Sequence, residues 1–311
     1  MDQTTSSYHE PVLVSACVEA LAPAARGVIV DGTFGGGGHS RALIAAYPHV
    51  QIIGIDRDSE AVANSPDDPR VRIVLGNFAD MQHLVNDELG TPRDAPGTVD
   101  GILLDLGISS HQVDAAERGF SYHRSGPIDM RMGADAAQSA GELVNDLAYD
   151  RLRDLIRRYG EERFAGRIAA AIVAARPIDD TAALAVVIAD AVPAAARRSG
   201  HPARKTFQAL RIATNAELEA LETGLESAIE LVRPGGRICV ISYHSLEDRI
   251  VKRRIAAGSA ECVCPPGLPV CVCERVPDLL DLGRVRPSAE EIAANPRSRS
   301  AILRIAERVA A

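Results

Sequence analysis

The sequence lacks any long apolar run and any recognisable export signal. No uninterrupted apolar stretch approaches the roughly 18 residues that a membrane-spanning helix requires. The first residues, Met1–Pro11, are polar and acidic, and neither a basic segment nor an apolar core follows them as in a secretory signal. A soluble cytoplasmic protein with no membrane partner is therefore expected. Its 311 residues, 46% of them hydrophobic, suffice for one large α/β domain with a smaller insert or for two modest domains.

A net positive charge is also missing. The formal charge of −8 argues against a protein that coats nucleic acid without specificity. A local basic groove is still compatible with that total, because charged residues can be concentrated on one surface. Three basic clusters could form such a groove: Arg197–Lys205, Arg249–Arg254 and, more weakly, Asn295–Ser300. Each of them could instead be an ordinary solvated loop or helix face.

No internal repeat or low-complexity linker is visible. The first part of the chain alternates between helix-length stretches and short runs rich in Val and Ile. The strand-like runs are Gly27–Thr33, Val50–Asp58, Val71–Phe78 and Val99–Gly107. Nearly continuous apolar runs of this length are typical of parallel strands that are buried on both faces. The alternation therefore predicts a doubly wound α/β sheet.

A helical region interrupts this pattern. From about residue 133 to 203 the sequence is rich in Ala, Arg and Leu, with helical spacing and no strand-like run. Strands resume at Pro234–Ser245, after a long amphipathic helix, and end with Ser300–Val309. We therefore predict a sheet domain formed by residues 1–134 and 206–311, and an inserted all-helical subdomain formed by residues 135–205.

Five glycines and a histidine occur within Val30–Ser40, directly after the first predicted strand. Ligands of doubly wound sheets bind at the carboxyl ends of the strands, and glycine there allows positive φ and close approach of a ligand. The spacing excludes two common phosphate sites. Frames that begin at Gly35 or Gly36 both lack the third glycine of the dinucleotide fingerprint, and no Gly-Lys-Ser/Thr follows as in a P-loop.

Acidic residues end three of the predicted strands, at Asp31, Asp56 and Asp105. Asp56 is placed to accept hydrogen bonds from both hydroxyls of a ribose, although it could also cap the next helix. Phe78 could cover a flat purine or pack in the core. These features suit a nucleoside with a short charged tail and no pyrophosphate, and S-adenosylmethionine has all the required parts.

Long motifs of this chain closely resemble those of the bacterial RsmH (MraW) family. They cover nearly the whole chain: HEPVL (9–13), DGTFGGGGHS (31–40), GILLDLGISSHQVDAAERGFSYHRSGPIDMRM (101–132), YGEERFAGRIA (159–169), HPARKTFQALRI (201–212), ISYHSLEDRIVKR (241–253) and NPRSRSAILRIAER (295–308). Members of this family are S-adenosylmethionine-dependent methyltransferases that modify N4 of a cytidine in small-subunit (16S) ribosomal RNA. The resemblance implies a class I, Rossmann-like methyltransferase sheet with a helical insert, and action on the small ribosomal subunit or a late precursor of it.

The resemblance also implies which residues hold the methyl donor. They are Gly37, Gly38, His39, Asp56, Phe78, Asp105 and Gln112, of which Gln112 is suggested by the resemblance alone. Two positions depart from the family pattern. His111 stands where proline is frequent, and Ser125 stands where aspartate often precedes Gly-Pro. Both departures are expected near the entrance for the substrate.

The N4 amine of cytosine is a poor nucleophile, because its lone pair is delocalised into the ring. An enzyme must therefore position this nitrogen and accept hydrogen bonds from its N–H groups. Asp105 is the candidate acceptor, and Tyr243 and His244 are candidates to line the pocket of an unstacked base or to carry a proton. Asp129 and Arg131 could shape the pocket or form a structural ion pair. RNA phosphates are expected to meet Arg204 and Lys205 of the insert, and Arg249, Lys252 and Arg253.

Four of the six cysteines form two Cys-x-Cys pairs around a proline-rich turn: Cys262, Cys264, Cys271 and Cys273. Four thiolates on a hairpin could bind zinc, although zinc sites more often have two residues between paired cysteines. Unligated thiols are the alternative, and a disulfide is disfavoured in a reducing cytosol. Cys17 and Cys239 stand in apolar surroundings and are predicted to be small core residues.

Two other functions fit parts of the sequence. A nicotinamide-dependent oxidoreductase would share the doubly wound sheet and the glycine loop, but the missing third glycine counts against it. A non-catalytic RNA-binding factor of ribosome assembly could retain a methyltransferase fold, but the intact acidic residues and glycine loop argue against a decayed site. The sequence leaves open whether the protein is a monomer or a homodimer.

Overall fold

The structure is a computed structural model that describes residues 11–63, 66–262, 264, 273 and 275–310. The chain divides into two compact units. The sheet unit comprises Glu10–Gly107 and Leu218–Ala311, and the helical unit comprises Ile108–Glu217. Among the described residues, no helix is both long and apolar enough to span a bilayer.

The sheet unit contains a seven-stranded sheet in the order β3-β2-β1-β4-β5-β7-β6. Its strands are β1 (Val28–Asp31), β2 (Gln51–Asp56), β3 (Val71–Leu75), β4 (Val99–Asp105), β5 (Val232–Ser242), β6 (Leu279–Val285) and β7 (Ile302–Arg308). Strands β1 to β5 pair in parallel, whereas β7 is antiparallel to both β5 and β6. This arrangement confirms the predicted doubly wound, class I type of sheet.

The helices follow in chain order. They are α1 (Val14–Leu21), α2 (Gly38–Ala46), α3 (Ser59–Ala63), α4 (Met81–Leu89), α5 (Ser110–Asp114), α6 (Ala140–Asp146), α7 (Tyr149–Gly160), α8 (Ala165–Ala175), α9 (Thr181–Ala191), α10 (Arg204–Asn215), α11 (Glu217–Leu231), α12 (Ser245–Gly258) and α13 (Ala289–Ala294).

Both faces of the sheet are buried, which explains the continuous apolar runs of its central strands. Ile29 and Leu103 belong to one hydrophobic cluster, and their chain neighbours Val30 and Leu104 belong to another. Successive side chains of a strand point to opposite faces, so each face needs its own apolar residues. All four side chains are fully buried, and each such burial contributes about 1.5–3 kcal/mol.

Sequence reasoning did not anticipate strand β6. Of its seven residues only Leu279 is buried, and the rest are exposed at the edge of the sheet. Asp281 and Arg284 interrupt the apolar pattern, and the register with β7 shifts between them. An edge strand with one buried residue has too little hydrophobic periodicity to be recognised locally.

The helical unit has a hydrophobic core of its own. Apart from one isolated bridge between Pro127 and Asp180, its described residues form no strand. The unit extends beyond the predicted insert of residues 135–205 at both ends. Phe120 and Met130 on one side, and Leu210 on the other, pack into the same cluster as the central helices. Phe120, Met130 and Leu210 therefore belong to the core of the helical unit, although they lie outside residues 135–205.

Candidate active site

The glycine-rich elbow joins the end of β1 to the start of α2. Gly35 and Gly37 have φ of 51° and 68°, in the left-handed region that favours glycine. A Cβ on Gly37 would lie 2.5 Å from Cζ of Phe34, whose ring is buried beneath the elbow. The positive φ predicted from the sequence is thus present. The crowding comes from this chain's own Phe34, a contact that sequence reasoning did not anticipate.

The buried end of the elbow is held by side chains. Asp31, at the end of β1, accepts a hydrogen bond from the hydroxyl of Ser40 at 2.6 Å. Burial raises the pKa of Asp31, and the bond from Ser40 partly opposes that rise. Because Asp31 is 2% exposed and bonded inward, it fixes the junction of strand and helix.

The segment Pro11–Leu13 packs against the first turn of α2. A Cβ on Gly38 would meet Pro11 at 2.7 Å, so only glycine allows this approach. His39 places its Nε2 2.9 Å from the carbonyl oxygen of Val12. Since a carbonyl only accepts, Nε2 carries a proton and donates it to this hydrogen bond. The Pro11–Leu13 contact was missed because local patterns do not show which helix a distant segment meets.

Asp56 ends β2 and faces the elbow. Its Oδ2 accepts the N–H of Gly35 at 2.6 Å, and its Oδ1 accepts the N–H of Asp58 at 2.8 Å. Burial raises the pKa of Asp56, and these two hydrogen bonds oppose the rise. The start of α3 is capped by Asp58, which accepts the N–H of Glu60 at 3.1 Å. The alternative role of Asp56 as that cap is therefore wrong.

Phe78 lies just beyond β3, in a short 3₁₀ turn. A Cβ on Gly224 of α11 would come within 2.5 Å of the Phe78 ring, so one part of the ring packs closely on this helix. The residue is only partly buried. It therefore combines a core contact with an accessible surface, in keeping with both roles considered from the sequence.

Asp105, at the end of β4, contacts three other residues of the sheet unit: Tyr243, His39 and Thr33. Its Oδ1 accepts the hydroxyl hydrogen of Tyr243 at 2.8 Å, and its Oδ2 lies 3.7 Å from Nδ1 of His39. Its backbone N–H donates to Oγ1 of Thr33 at 2.6 Å, a contact that sequence reasoning missed. Burial raises the pKa of Asp105 to about 6, while His39 and the bond from Tyr243 oppose the rise. The carboxylate is still 23% exposed, so a ligand can reach it.

Tyr243 and His244 follow β5 and are organised by Glu247 of α12. Oε2 of Glu247 accepts the backbone N–H of Tyr243 at 2.8 Å and that of His244 at 3.1 Å. In return, Nδ1 of His244 accepts the N–H of Glu247 at 3.3 Å, which completes a capping box. Burial and the negative charge of Asp105 raise the pKa of Tyr243, so its hydroxyl stays protonated and donates. The structure thus brings Tyr243 to Asp105 and uses the Nδ1 of His244 as a helix cap.

Gln112, the remaining predicted donor-binding residue, belongs to the helical unit. It is 7% exposed, and its Oε1 accepts the N–H of Ser109 at 3.1 Å. Ser125 donates a short hydrogen bond to Asp180, whose carboxylate caps α9. This contact gives one of the two family departures a structural role. The side chain of His111, the other departure, lies outside the described part of the chain.

Asp129 and Arg131 form a two-pronged ion pair on the helical unit. The guanidinium donates from Nε to Oδ1 at 2.9 Å and from Nη2 to Oδ2 at 2.7 Å. The bonds from Arg131 lower the pKa of Asp129. The structural ion pair, one of the two roles considered from the sequence, is therefore present.

The predicted RNA-binding cations are distributed over both units. In the helical unit, Arg204 is exposed at the start of α10, and Lys205 donates from Nζ to the carbonyl of Glu161 at 2.9 Å. In the sheet unit, α12 carries three cations on its exposed side: Arg249, Lys252 and Arg253. Their spacing of three and four residues places them on one side of the helix.

The cysteines divide as the sequence indicates. Cys17 and Cys239 are buried in the core of the sheet unit, and burial raises the pKa of both thiols, for Cys239 to about 12. The Sγ atoms of Cys262, Cys264 and Cys273 all lie within 4.8 Å of one another. Cys271, the fourth predicted ligand, lies outside the described residues.

Comparison with known proteins identifies the family. A family model described as the MraW methylase family matches residues 6–309. Two curated relatives, both called ribosomal RNA small subunit methyltransferase H, are 48% identical to this chain. One, from Symbiobacterium thermophilum, aligns over 96% of this chain and 95% of its own length, and the other, from Thermomicrobium roseum, over 100% and 96%.

Similarity to solved structures is distant. The crystal structure of an rRNA methylase from Streptococcus thermophilus aligns over 96% of this chain and 94% of that chain, with 10% identity and a TM-score of 0.40. A likeness of this size supports no argument. The family model and the two relatives, in contrast, match essentially the full length at high identity. The chain therefore belongs to the MraW methylase family.

Proposed function

We propose that this protein transfers a methyl group from S-adenosylmethionine to N4 of a specific cytidine in the 16S RNA of the small ribosomal subunit. Membership of the MraW methylase family supports methyl transfer, and the names of the relatives support ribosomal RNA as substrate. The observation that carries the proposal is the environment of the Asp105 carboxylate. Its carboxylate is partly exposed, has a raised pKa, and lies beside the glycine elbow between His39 and Tyr243. A ribosomal substrate would also place the protein in the cytoplasm.

The residues of the elbow fit an adenosyl donor. Each oxygen of Asp56 accepts one backbone N–H, and a carboxylate oxygen can accept two hydrogen bonds, so both retain capacity for the hydroxyls of a ribose. The accessible part of Phe78 would cover the adenine, and Gly37, Gly38 and His39 would meet the methionine tail. The bound donor supplies an electrophilic methyl group on a sulfonium sulfur.

Asp105 is the proposed acceptor for the N–H groups of the target amine. The hydroxyl of Tyr243 occupies Oδ1, which orients the carboxylate and leaves Oδ2 to accept from the base. Accepting this hydrogen bond localises electron density on the nitrogen and holds it in position. The amine loses one proton on methylation, and Asp105, with a pKa of about 6, can take it.

Tyr243 and His244 have different proposed parts in the base pocket. Tyr243 contacts Asp105 directly and would line the pocket with its ring. His244, with its Nδ1 engaged in the helix cap, would act mainly by holding the turn that carries Tyr243. Replacing His244 with Asn, which also caps helices well, should therefore preserve more activity than replacing it with Ala.

The helical unit and α12 are proposed to bind RNA. Arg204 and Lys205 in one unit, and Arg249, Lys252 and Arg253 in the other, would contact phosphates. Reversing these charges should weaken RNA binding and reduce the slope of log Kd against log salt concentration, by about one for each phosphate that is no longer neutralised. Salt slopes equal to that of the wild type would contradict this assignment.

The direct test is methyl transfer from labelled S-adenosylmethionine to purified small ribosomal subunits, followed by mapping of the modified nucleotide. Label on N4 of a single cytidine is the expected result. An Asp105→Asn variant should turn over far more slowly, and full turnover with normal donor affinity would remove the role of Asp105 as the acceptor. Stabilisation by NAD and not by S-adenosylmethionine would favour the oxidoreductase. RNA binding without any transfer would favour the assembly factor.

The cysteine cluster is proposed to hold a structural zinc ion. Zn–S bonds of about 2.3 Å in tetrahedral geometry separate the sulfur atoms by about 3.8 Å. The Sγ atoms of Cys262 and Cys273 lie 3.8 Å apart, and Cys264 lies within the same cluster. The backbone N–H of Cys264 donates to Sγ of Cys262 at 3.4 Å, so backbone and thiols are already packed together at this site. Spacing makes Cys271 the candidate for the fourth ligand.

Elemental analysis of protein purified under reducing conditions tests the zinc proposal. About one equivalent of zinc is expected, and Cys262→Ser should lose most of it. Cys17→Ala is the matched control, because it removes a buried thiol far from any ligand role and should retain the metal. Less than about a tenth of an equivalent in the wild type, or full zinc content in Cys262→Ser, would overturn the proposal.

A further inference from the structure

Four rings of the helical unit form a cluster that the proposed catalytic chemistry does not use. The rings of Tyr122 and His201 are stacked, with centroids 4.4 Å apart and planes inclined by 19°. His123 meets the edge of His201 at 5.1 Å and also contacts Tyr122 at 4.4 Å. Phe207 packs edge-on against Tyr122 at 5.6 Å. We call these residues the ring cluster.

The ring cluster is anchored on one side and open on the other. Phe207 lies on the buried side of α10 and belongs to the core of the helical unit, and Tyr122 packs partly against that core. His123 and His201, in contrast, are both exposed. Here two flat imidazoles lie at the surface on an aromatic base.

Cations flank the ring cluster along the chain. Arg124 follows His123 directly and is exposed, with its guanidinium beside Asp114. Arg204 follows His201 by three residues and is exposed at the start of α10. Burial and the neighbouring His123 lower the pKa of His201, so its imidazole is neutral at physiological pH. A neutral ring surface between cations suits a nucleotide, because its base is aromatic and its phosphate is negatively charged.

We propose that the exposed face of the Tyr122–His201 stack, bordered by His123, is a stacking platform for one unpaired nucleobase of the RNA substrate. Proteins bind single-stranded nucleic acid by combining basic residues that follow the backbone with rings on which bases stack. Every base has a π face, so the platform would hold a nucleotide without reading its identity. The proposal rests on the proposed function, because it assigns a contact for that RNA.

His201 has a second role that a test must separate from stacking. Its Nδ1 accepts the backbone N–H of Ala203 at 3.3 Å, just before α10 begins. His201→Phe retains a flat ring but loses this acceptor. His201→Asn retains a side-chain acceptor but loses the ring. A purely structural role predicts that Asn is the milder change, whereas a platform predicts that Phe is.

The experiment measures binding of an unstructured RNA oligonucleotide by fluorescence anisotropy, with folding checked by thermal melting. His201→Phe should bind as the wild type does, and His201→Asn should bind roughly 5- to 150-fold more weakly, the range for loss of one stacked base. The salt slope of His201→Asn should equal that of the wild type, because the substitution removes no charge that meets a phosphate. Tyr149→Ala is the matched control, since it removes an exposed ring from the same unit outside the ring cluster.

The outcomes separate the platform from the proposed function. If the wild type methylates ribosomal subunits and binds the oligonucleotide, while His201→Asn binds as tightly as His201→Phe, only the platform is overturned. A reduced salt slope in His201→Asn would also overturn it, because the residue would then act through charge. A wild type that binds no RNA and transfers no methyl group would overturn both.

Discussion

Asp105→Asn should make the protein more stable at neutral pH while it removes the proposed acceptor. Burial raises the pKa of Asp105 from 3.8 to about 6. One pKa unit corresponds to about 1.4 kcal/mol, so the ionised carboxylate lowers the free energy of unfolding by up to about 3 kcal/mol above pH 6. Below about pH 3.8 the group is protonated in both the folded and the unfolded state, and this cost vanishes. Asparagine has no charge to bury and can still accept the hydroxyl of Tyr243.

Urea unfolding of the wild type and the variant across this pH range measures the effect. Asp105→Asn should gain up to about 3 kcal/mol near pH 8, and the gain should disappear as the pH falls through 6 towards 4. Asp87→Asn is a control for which the expected change in stability has the opposite sign. A hydrogen bond from Arg93 lowers the pKa of Asp87, so the ionised form of this carboxylate stabilises the folded state. That variant should be the less stable one at neutral pH. A difference for Asp105→Asn that is the same at all pH values would refute the electrostatic reasoning.

Three further predictions concern the same unit. Tyr243→Phe removes a hydrogen bond that favours the ionised form of Asp105, so the acid limb of the pH–activity profile should move up from about 6 by about one unit; an unmoved limb would contradict the assignment. Gly37→Ala should lower the free energy of unfolding in urea by about 2 kcal/mol or more, because backbone strain and the clash with Phe34 add. Gly90→Ala has the same φ of 68° and open space around it, so it should lower the free energy of unfolding by about 1 kcal/mol. Equal losses of stability in the two variants would show that the structure relieves the clash between the added methyl group and Phe34 at no cost. Burial raises the pKa of Cys239 to about 12, so its thiol should resist alkylation of the folded protein near pH 8, and rapid labelling seen by mass spectrometry would argue otherwise.

Local sequence patterns were sufficient for most of the sheet. The runs around Ile29, Ile52 and Leu103 are apolar on both strand faces, and such runs have few alternatives to a buried parallel strand. The strands and the doubly wound class were predicted correctly for this reason. Strand β6 was missed, because its place at the edge of the sheet comes from pairing with β7 and not from its own composition.

The candidate site was only partly accessible to the same reasoning. The acidic strand ends and the glycines were identified because a ligand site in this class of sheet must use those positions. The contacts made by His39 and Asp56 were not anticipated, since a spacing does not say which backbone groups a side chain will meet. Thr33 and Glu247 were missed, although a Glu three residues after His244 is the signature of a capping box.

By itself, the sequence determined the class of sheet, the glycine elbow after its first strand and, through its long motifs, the family of the protein. Only the tertiary structure decided the chemistry of Asp105. Tyr243 is 138 residues further along the chain, and its hydroxyl reaches Asp105 because β4 and β5 pair in parallel and end side by side. The raised pKa likewise depends on burial by several distant segments. Periodicity and turn signals act over a few residues, whereas electrostatic environment is set by whatever the folded chain brings within a few ångströms.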